Sequence, residues 1–358
     1  GFFLGCWWAP RLMGSIGHSR AFATFTVVGA IGLISHTLSD DPYLWSLMRV
    51  GSGLCVAGCY TVIEAWLNSR ITNATRGRAM GSYRMVDMGA SLGAQLLIAV
   101  LEPAHYISYN ILVLLCCLSI LPITLTTSEQ PETPKAPRLR PGLAWSISPL
   151  ASVGVVVAAL SSSAFRMVGP IYGQEVGLEI NQIAYFLAAF VLGGALAQYP
   201  VGWIADKYDR RRVLIGLSVA AIISCFITVL VADAGTVMVM LGAALFGFTT
   251  FPIFSVSAAH ANDFATSKQR VELSAALMFF YALGAIASPY VASWLIEAYG
   301  PSALFALVAI GHAALIAYGL MRMRARSTVD QKTAYVYTPR STFTIGRLLK
   351  RKRNRSKP

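Results

Sequence analysis

The stretch IAYFLAAFVLGGALAQYPVGWIADKYDRRRV, residues 183–213, decides the fold. Its apolar part, residues 183–205, contains no charged side chain, and about 20 such residues suffice for a helix to cross a bilayer. Residues 206–212 then contain six charges in seven positions. An apolar run that ends in a dense charge cluster indicates a membrane-spanning helix that reaches a polar surface.

The same pattern recurs along the chain, which is 56% hydrophobic and 13% charged. Soluble domains carry about 25% charged residues, so a soluble globular fold is excluded. Further uncharged runs of spanning length are 21–39, 107–127, 213–232, 234–261, 273–296 and 303–321. Runs with isolated charges are 43–67, 80–101 and 145–172. With the apolar opening, residues 1–13, we expect an all-α membrane protein with eleven visible spans of twelve, the first span preceding residue 1.

The net charge of +13 is distributed in a way that favours a membrane over nucleic acid as partner. Basic residues concentrate in alternate loops, and the loops between them carry only acidic charges. The basic loops hold Arg11, Arg20, Arg70, Arg76, Arg78, Lys135, Arg138, Arg140, Lys207, Arg210, Arg211, Arg212, Lys268 and Arg270. Because positive loops stay in the cytoplasm, this pattern predicts cytoplasmic basic loops and a cytoplasmic C-terminus.

An internal repeat predicts two related halves. The segment beginning at Gly51 aligns with the segment beginning at Gly242, and Gly89 aligns with Gly284. Four prolines and mixed charges in residues 128–141 are typical of an interdomain linker. The predicted organisation is an N-terminal bundle (1–127), a cytoplasmic linker (128–144), a C-terminal six-helix bundle (145–322) and a basic cytoplasmic tail (323–358).

The charge cluster quoted above resembles a known loop signature. Gly202, Asp206, Lys207 and Arg211 match G-x-x-x-D-(R/K)-x-G-x-(R/K) of the major facilitator superfamily, and Asp209 stands where the second glycine is expected. In the first half, Gly17 fits the second glycine and Arg20 is a basic residue one place late. Gly14 occupies the position of the aspartate.

A second resemblance lies in the helix that contains Arg49, Gly53 and Ala57, which matches the family's fourth-helix pattern R-x-x-x-G-x-x-x-A. Together the motifs cover almost the whole chain and resemble an uncharacterised bacterial subgroup. They imply two pseudo-symmetric six-helix bundles that move a small-molecule substrate. The G-x-x-x-G-P motif of drug antiporters lacks its proline after Gly93, so drug export is not supported.

The resemblance also implies a gate on the inner side. In such a gate Asp206 pairs with a nearby arginine and with a helix N-terminus of the opposite half, around Arg78 to Ser82. The gating residues it implies are Gly202, Asp206, Arg210, Arg211, Gly17, Arg20, Glu64, Arg76 and Arg78.

Five ionisable residues lie inside predicted spans, where a charge costs about 2.5 kcal/mol or more and indicates function. Tyr60, Glu64 and Asn68 share one helix face by their i, i+4, i+8 spacing. A second polar stripe follows i, i+3, i+7, i+11. The candidates for coupling or for the substrate cavity are Arg49, Tyr60, Arg84, Asp87, Ser91, Gln95, Arg166 and Tyr281.

Several interpretations of these charges stay open at this point. Glu64 either pairs with Arg76 or Arg78 in a gate, takes part in proton coupling, or holds two helices together. Asp87 fits proton coupling or substrate contact. Arg49 and Arg166 either attract an anionic substrate or anchor helices at the outer surface, paired with Glu102 or Glu175.

The predicted function is secondary active transport of a small polar organic solute across the cytoplasmic membrane by proton symport. An antiporter or a facilitated exporter is the alternative, and a channel or a non-transporting receptor on the same fold is a more distant one. No phosphate-binding loop, nucleophile motif or metal-ligand spacing occurs in the sequence. We therefore expect a monomeric carrier, not an enzyme, with no cofactor and no metal.

Overall fold

The computed structural model describes residues 1–70, 76–98, 100–101, 105–126, 140–266 and 269–325. Within these residues all regular secondary structure is helical, which confirms the predicted all-α class. The helices are α1 (Phe2–Ile16), α2 (His18–Ser35), α3 (Pro42–Arg70), α4 (Arg76–Leu97), α5 (Tyr106–Thr124), α6 (Pro141–Ile147), α7 (Pro149–Glu175), α8 (Ile180–Lys207), α9 (Arg210–Leu230), α10 (Thr236–Thr250), α11 (Pro252–Phe264), α12 (Arg270–Tyr299) and α13 (Ala303–Ala325).

Eight candidate spans in the described part of the chain are long and apolar enough to cross a membrane. They are Pro42–Leu67, Tyr106–Thr124, Pro149–Glu175, Ile180–Lys207, Arg210–Leu230, Thr236–Phe264, Glu272–Tyr299 and Ala303–Arg324. The predicted count of eleven is not confirmed. Helices α1 and α2 are not among these spans, and α4 carries four charged residues that lower its hydropathy.

The apolar run 234–261, expected to be one helix, folds as α10 followed by α11. Pro252 begins α11, at a helix position where its missing backbone N–H costs little. Phe251 between the two helices keeps αR backbone angles, so no loop separates them. The two helices together form the single candidate span Thr236–Phe264.

The described chain divides into two compact units. The first contains the described residues of 1–82 and 101–126, which include α1, α2, α3 and α5. Its core is formed by Ala9, Met13, Ala21, Phe22, Phe25, Val62 and Ala65. Gly58 lets α3 approach α2 closely, because a Cβ there would overlap the Phe25 ring.

The second unit contains the described residues of 83–100 and 140–325, so most of α4 belongs to it. Seven aromatic rings lie in its core, with centroid distances of 4.3 Å for Phe165–Phe190 and 5.1 Å for Phe165–Phe246. Helices α8 and α10 are in close contact, because a Cβ on Gly247 would overlap the Phe190 carbonyl. Small residues permit such contacts between membrane helices.

Candidate functional site

Arg210 connects three helix ends in the second unit. It is the first residue of α9 and only 2% exposed. Its Nη1 donates hydrogen bonds to the Ala259 carbonyl (2.9 Å) and to Asp263 Oδ1 (2.6 Å), and its Nη2 donates to Asp206 Oδ1 (3.0 Å). The guanidinium therefore joins the end of α8, the start of α9 and the end of α11.

The local sequence explains how Asp206 and Arg210 meet. Helix α8 ends at Lys207 and α9 begins at Arg210, so only two residues separate them. Tyr208 and Asp209 leave the helical conformation, and the short connection keeps the carboxylate and the guanidinium within 3.0 Å. A buried arginine needs such partners, since removing one member of a buried ion pair costs about 3–5 kcal/mol.

The two carboxylates on Arg210 differ in exposure. The side chain of Asp206 is 48% exposed, whereas that of Asp263 is 6% exposed. Asp206 is consequently the partner with access to solvent and to other groups, and Asp263 is enclosed. Sequence reasoning missed Asp263, because no local pattern signals a contact that spans 53 positions.

Asp209 occupies the position of the second glycine in the loop signature, and its side chain has a structural role at the start of α9. It is the N-cap of α9, where its Oδ1 accepts from the Arg211 backbone N–H at 3.0 Å. Arg211 Nη2 also donates to Asp209 Oδ2 at 2.9 Å. Burial by itself would raise the pKa of Asp209, but the hydrogen bonds and charge of Arg211 outweigh it and lower that pKa.

The corresponding loop of the first unit is different. Gly17 joins α1 to α2 with a φ of 84°, in the left-handed region that favours glycine. Arg20 is exposed and, among the described residues, forms no ion pair. Gly14 is also exposed, with open space where a side chain would stand. A network like that of Arg210 is thus absent from this loop in the described part of the unit.

Several predicted site residues lie outside the described side chains. These are Glu64 on α3, Arg76 and Arg78 at the start of α4, and Arg84 further along α4. Their proposed parts in gating or coupling remain predictions. Tyr60 on α3 is half-buried, and Arg49 on the same helix is exposed.

Three of the four residues of the predicted polar stripe on α4 have described side chains. Asp87, Ser91 and Gln95 are half-buried, whereas Val86 and Ala94 on other faces are exposed. These three side chains are therefore less exposed than Val86 and Ala94. A carboxylate in this position is a candidate for binding a proton or a substrate.

The remaining two candidates are placed beside aromatic rings. Arg166 on α7 is exposed, and its guanidinium lies 5.8 Å from the centre of the Phe251 ring at the α10–α11 junction. It forms no ion pair with a described residue, Glu175 included. Tyr281 on α12 is half-buried and packs edge-on against Phe254, with 5.4 Å between ring centroids.

A buried polar contact also connects α7, α9 and α13. His312 on α13 is fully buried, with Nε2 at 3.1 Å from Ser161 Oγ and Nδ1 at 3.3 Å from Ser218 Oγ. Ser161 donates its hydroxyl to the Val157 carbonyl at 2.9 Å. Its oxygen therefore accepts from Nε2–H, which leaves Nδ1 to accept from Ser218. This contact joins α7, α9 and α13.

The described residues contain eight helical segments of spanning length, and the Arg210 network joins the ends of three of the helices. These features indicate a multi-pass membrane protein. Comparison with known families then identifies which one. The profile of the Major Facilitator Superfamily matches residues 151–353, more than half of the chain. The chain belongs to the major facilitator superfamily, as the loop signature indicated.

Relatives and solved structures agree with this assignment. An uncharacterised MFS-type transporter of Enterobacter sp. (strain 638) is 26% identical over 312 residues, which are 86% of this chain and 80% of the relative. A crystal structure of the nucleoside transporter NupG, in a mutant form, has a TM-score of 0.73 at 14% identity, covering 90% of this chain and 89% of that one. The E. coli fucose:proton symporter FucP has a TM-score of 0.50 at 16% identity, covering 90% and 88%.

Proposed function

We propose that this protein is a proton-coupled symporter of a small polar organic solute. Membership of the superfamily supports transport of a small molecule in general. The finer proposal draws on two proteins of similar fold, one described as a nucleoside transporter and the other as a fucose:proton symporter. Both of those solutes are small, polar and organic.

The observation that carries the proposal is the Arg210 network. A transporter that works by alternating access needs helix ends that close on one side and release again. Arg210 holds three helix ends together through one enclosed carboxylate, Asp263, and one half-exposed carboxylate, Asp206. We infer that Asp263 keeps Arg210 in place and that Asp206 exchanges partners as the gate opens and closes. Gly202 and Arg211 belong to the same proposed gate, and Gly17 and Arg20 to the corresponding loop of the first unit.

Proton coupling requires a carboxylate that gains and loses a proton inside the protein. Asp87 has a suitable position, half-buried on the polar stripe of α4. Glu64 is the second candidate, either in coupling or in the gate with Arg76 and Arg78. The proposed cavity set further includes Arg49, Tyr60, Arg84, Ser91, Gln95, Arg166 and Tyr281.

The proposal extends to placement in the cell. The basic loops and the residues after 322 lie in the cytoplasm, and the protein resides in the cytoplasmic membrane. The proposed organisation keeps a first half (1–127), a linker (128–144) and a second half (145–322). Antiport or facilitated export is the alternative mechanism that the same fold would support.

Transport in proteoliposomes tests the proposal. Labelled nucleosides and deoxy sugars are the first solutes to try, after a thermal-shift screen of polar metabolites on the purified protein. Uptake should rise several-fold when the outside is made acidic. Preloading with unlabelled solute should accelerate labelled uptake, which a channel does not show. Solute uptake that depends neither on the pH gradient nor on preloading would contradict the proposal.

Variants locate the coupling group. Asp87→Asn should lose gradient-driven uptake but keep exchange of labelled for unlabelled solute, since exchange needs no net proton movement. Asp233→Asn, in an exposed loop between α9 and α10, removes one carboxylate outside the spans and is the matched control. Gradient-driven uptake that survives both Asp87→Asn and Glu64→Gln would show that neither residue couples transport to protons.

A further inference from the structure

A small cavity in the second unit is lined mainly by basic and hydrogen-bonding side chains. It lies at the start of α7 and α9 and at the end of α11 and α13, and measures ≈ 20 Å³. A site needs about 10–15 Å³ to admit one water-sized group, so one oxygen of a larger anion can enter. Its polar lining is Arg211, His260, Arg322 and Ser148, and no carboxylate is among the lining residues.

The charge on this cavity is only partly compensated. Arg211 is 7% exposed and is held by Asp209, which offsets its charge. Arg322 is half-buried and, across the described residues, makes no hydrogen bond or ion pair. His260 is 6% exposed and turns its ring edge-on to Phe264, with centroids 5.2 Å apart. One uncompensated guanidinium and an imidazole thus face the same small space.

Nearby residues indicate that this cavity lies at the depth of lipid headgroups. Trp145 on α6 is 49% exposed, and Trp203 on α8 is 58% exposed. The Lys207 ammonium lies 5.1 Å from the Trp203 ring centre. Exposed tryptophan beside lysine is typical of the membrane–water interface. On the cytoplasmic side, that level holds the phosphates of anionic lipids.

From these contacts we infer that the cavity formed by Arg211, His260 and Arg322 binds a phosphoryl group. One phosphoryl oxygen enters the cavity and accepts hydrogen bonds from the Arg322 fork and from His260. The rest of the phosphate stays at the mouth. Guanidinium groups match phosphate geometry better than ammonium groups, which favours a phosphoryl ligand over a general attraction to negative charge. The source is the headgroup of an anionic phospholipid or free phosphate.

Binding to the purified full chain in non-ionic detergent tests this site. The probes are dioctanoyl phosphatidylglycerol, dioctanoylglycerol with the same acyl chains and no phosphate, and inorganic phosphate. Arg322→Gln removes the proposed contact, and Arg324→Gln removes an exposed arginine two residues further along the same helix. Each change removes one positive charge. The loss of that charge alone should weaken binding of an anionic probe about fivefold in both variants.

If Arg322 contacts the phosphoryl group directly, the two substitutions should weaken lipid binding to different extents. Arg322→Gln should weaken phosphatidylglycerol binding about tenfold more than Arg324→Gln, as expected for loss of charge-assisted hydrogen bonds. Arg322→Lys should recover only part of the affinity, because it restores charge without the planar fork. Dioctanoylglycerol should not compete. If inorganic phosphate binds with the same dependence on Arg322 and the lipid does not, the phosphoryl site stands with a soluble ligand.

Three results would overturn the inference. They are equal losses in Arg322→Gln and Arg324→Gln, equal binding of dioctanoylglycerol, or no binding of either phosphate-containing probe. Thermal unfolding of each variant checks that it remains folded, and His260→Gln repeats the test at a second lining residue. None of these measurements depends on transport, so they stay decisive if the proposed transport activity is wrong.

Discussion

Arg210 has two carboxylate partners that differ in exposure to solvent, and we therefore expect them to have different roles. Asp263 is enclosed with the guanidinium, so its loss leaves a buried positive charge short of a partner. Asp206 is half-exposed, and water replaces much of what it contributes. We therefore expect the Asp263 contact to contribute more to the stability of the fold than the Asp206 contact.

Substitution of the two aspartates should separate stability from turnover. We expect Asp263→Ala to destabilise the protein by about 3–5 kcal/mol and Asp206→Asn by about 1 kcal/mol or less. Asp206→Asn should still reduce transport, because the neutral amide is a weaker partner in the gate. Thermal unfolding in detergent and uptake in proteoliposomes measure the two effects.

Arg212→Gln is the control, since Arg212 is exposed beside the same network. It should change neither unfolding nor uptake appreciably. A loss of membrane accumulation in Asp206→Asn as large as in Asp263→Ala would make Asp206 structural and remove it from the gate.

The lowered pKa of Asp209 predicts a pH dependence of stability. A carboxyl group with a lowered folded pKa stabilises the protein above its unfolded pKa, about 3.9, and loses this effect as pH falls through the folded value. The difference in thermal stability between the wild type and Asp209→Asn should thus be present near pH 5 and shrink below about pH 4. A difference that grows below about pH 4 would have the wrong sign.

At the scale of the element, close helix contacts depend on individual glycines. Gly247 on α10 faces the backbone of α8, and a Cβ there would overlap the Phe190 carbonyl. Backbone cannot move aside as a flexible side chain can. Helix propensity favours alanine over glycine by about 1 kcal/mol, so the sign of a substitution depends on this contact.

We therefore expect Gly247→Ala to destabilise the protein by about 1–3 kcal/mol, the usual cost of overpacking. Gly216→Ala on α9 is the matched control, because Gly216 is exposed with open space around its Cα. That change should be neutral or slightly stabilising in thermal unfolding. Equal behaviour of the two variants would mean that α8 and α10 separate more easily than their contact suggests.

At the scale of the whole molecule, the distribution of charge predicts how the chain lies in the membrane. Lys207 ends α8, and exposed Asp233 follows α9, so the helix Arg210–Leu230 separates them. Positive loops remain in the cytoplasm because moving their charge across the bilayer is unfavourable. The two residues should therefore lie on opposite sides of the membrane.

Labelling with a membrane-impermeant maleimide tests this orientation. Asp233→Cys should react from outside intact cells, whereas Lys207→Cys should react only in inverted vesicles. The parent chain controls for its own cysteines, of which Cys117 is exposed. Labelling of Lys207→Cys in intact cells would reverse the predicted topology.

Much of the fold was predictable from local patterns. Apolar runs and charge clusters placed the helices, since a bilayer-crossing segment must satisfy its own backbone hydrogen bonds. The span count was less predictable, because four charged residues lower the hydropathy of α4. The break at Phe251–Pro252 shows that an unbroken apolar run need not be one unbroken helix.

The sequence by itself determined the helical membrane class, the family and the position of the Asp206–Arg211 cluster, because these depend on spacing along the chain. Only the tertiary structure decided which groups meet there. Asp263 reaches Arg210 from the end of α11, and His260 and Arg322 line one cavity from two helices. Contacts between distant helices follow from how side chains pack in three dimensions, and no local pattern of charge or hydropathy contains that information.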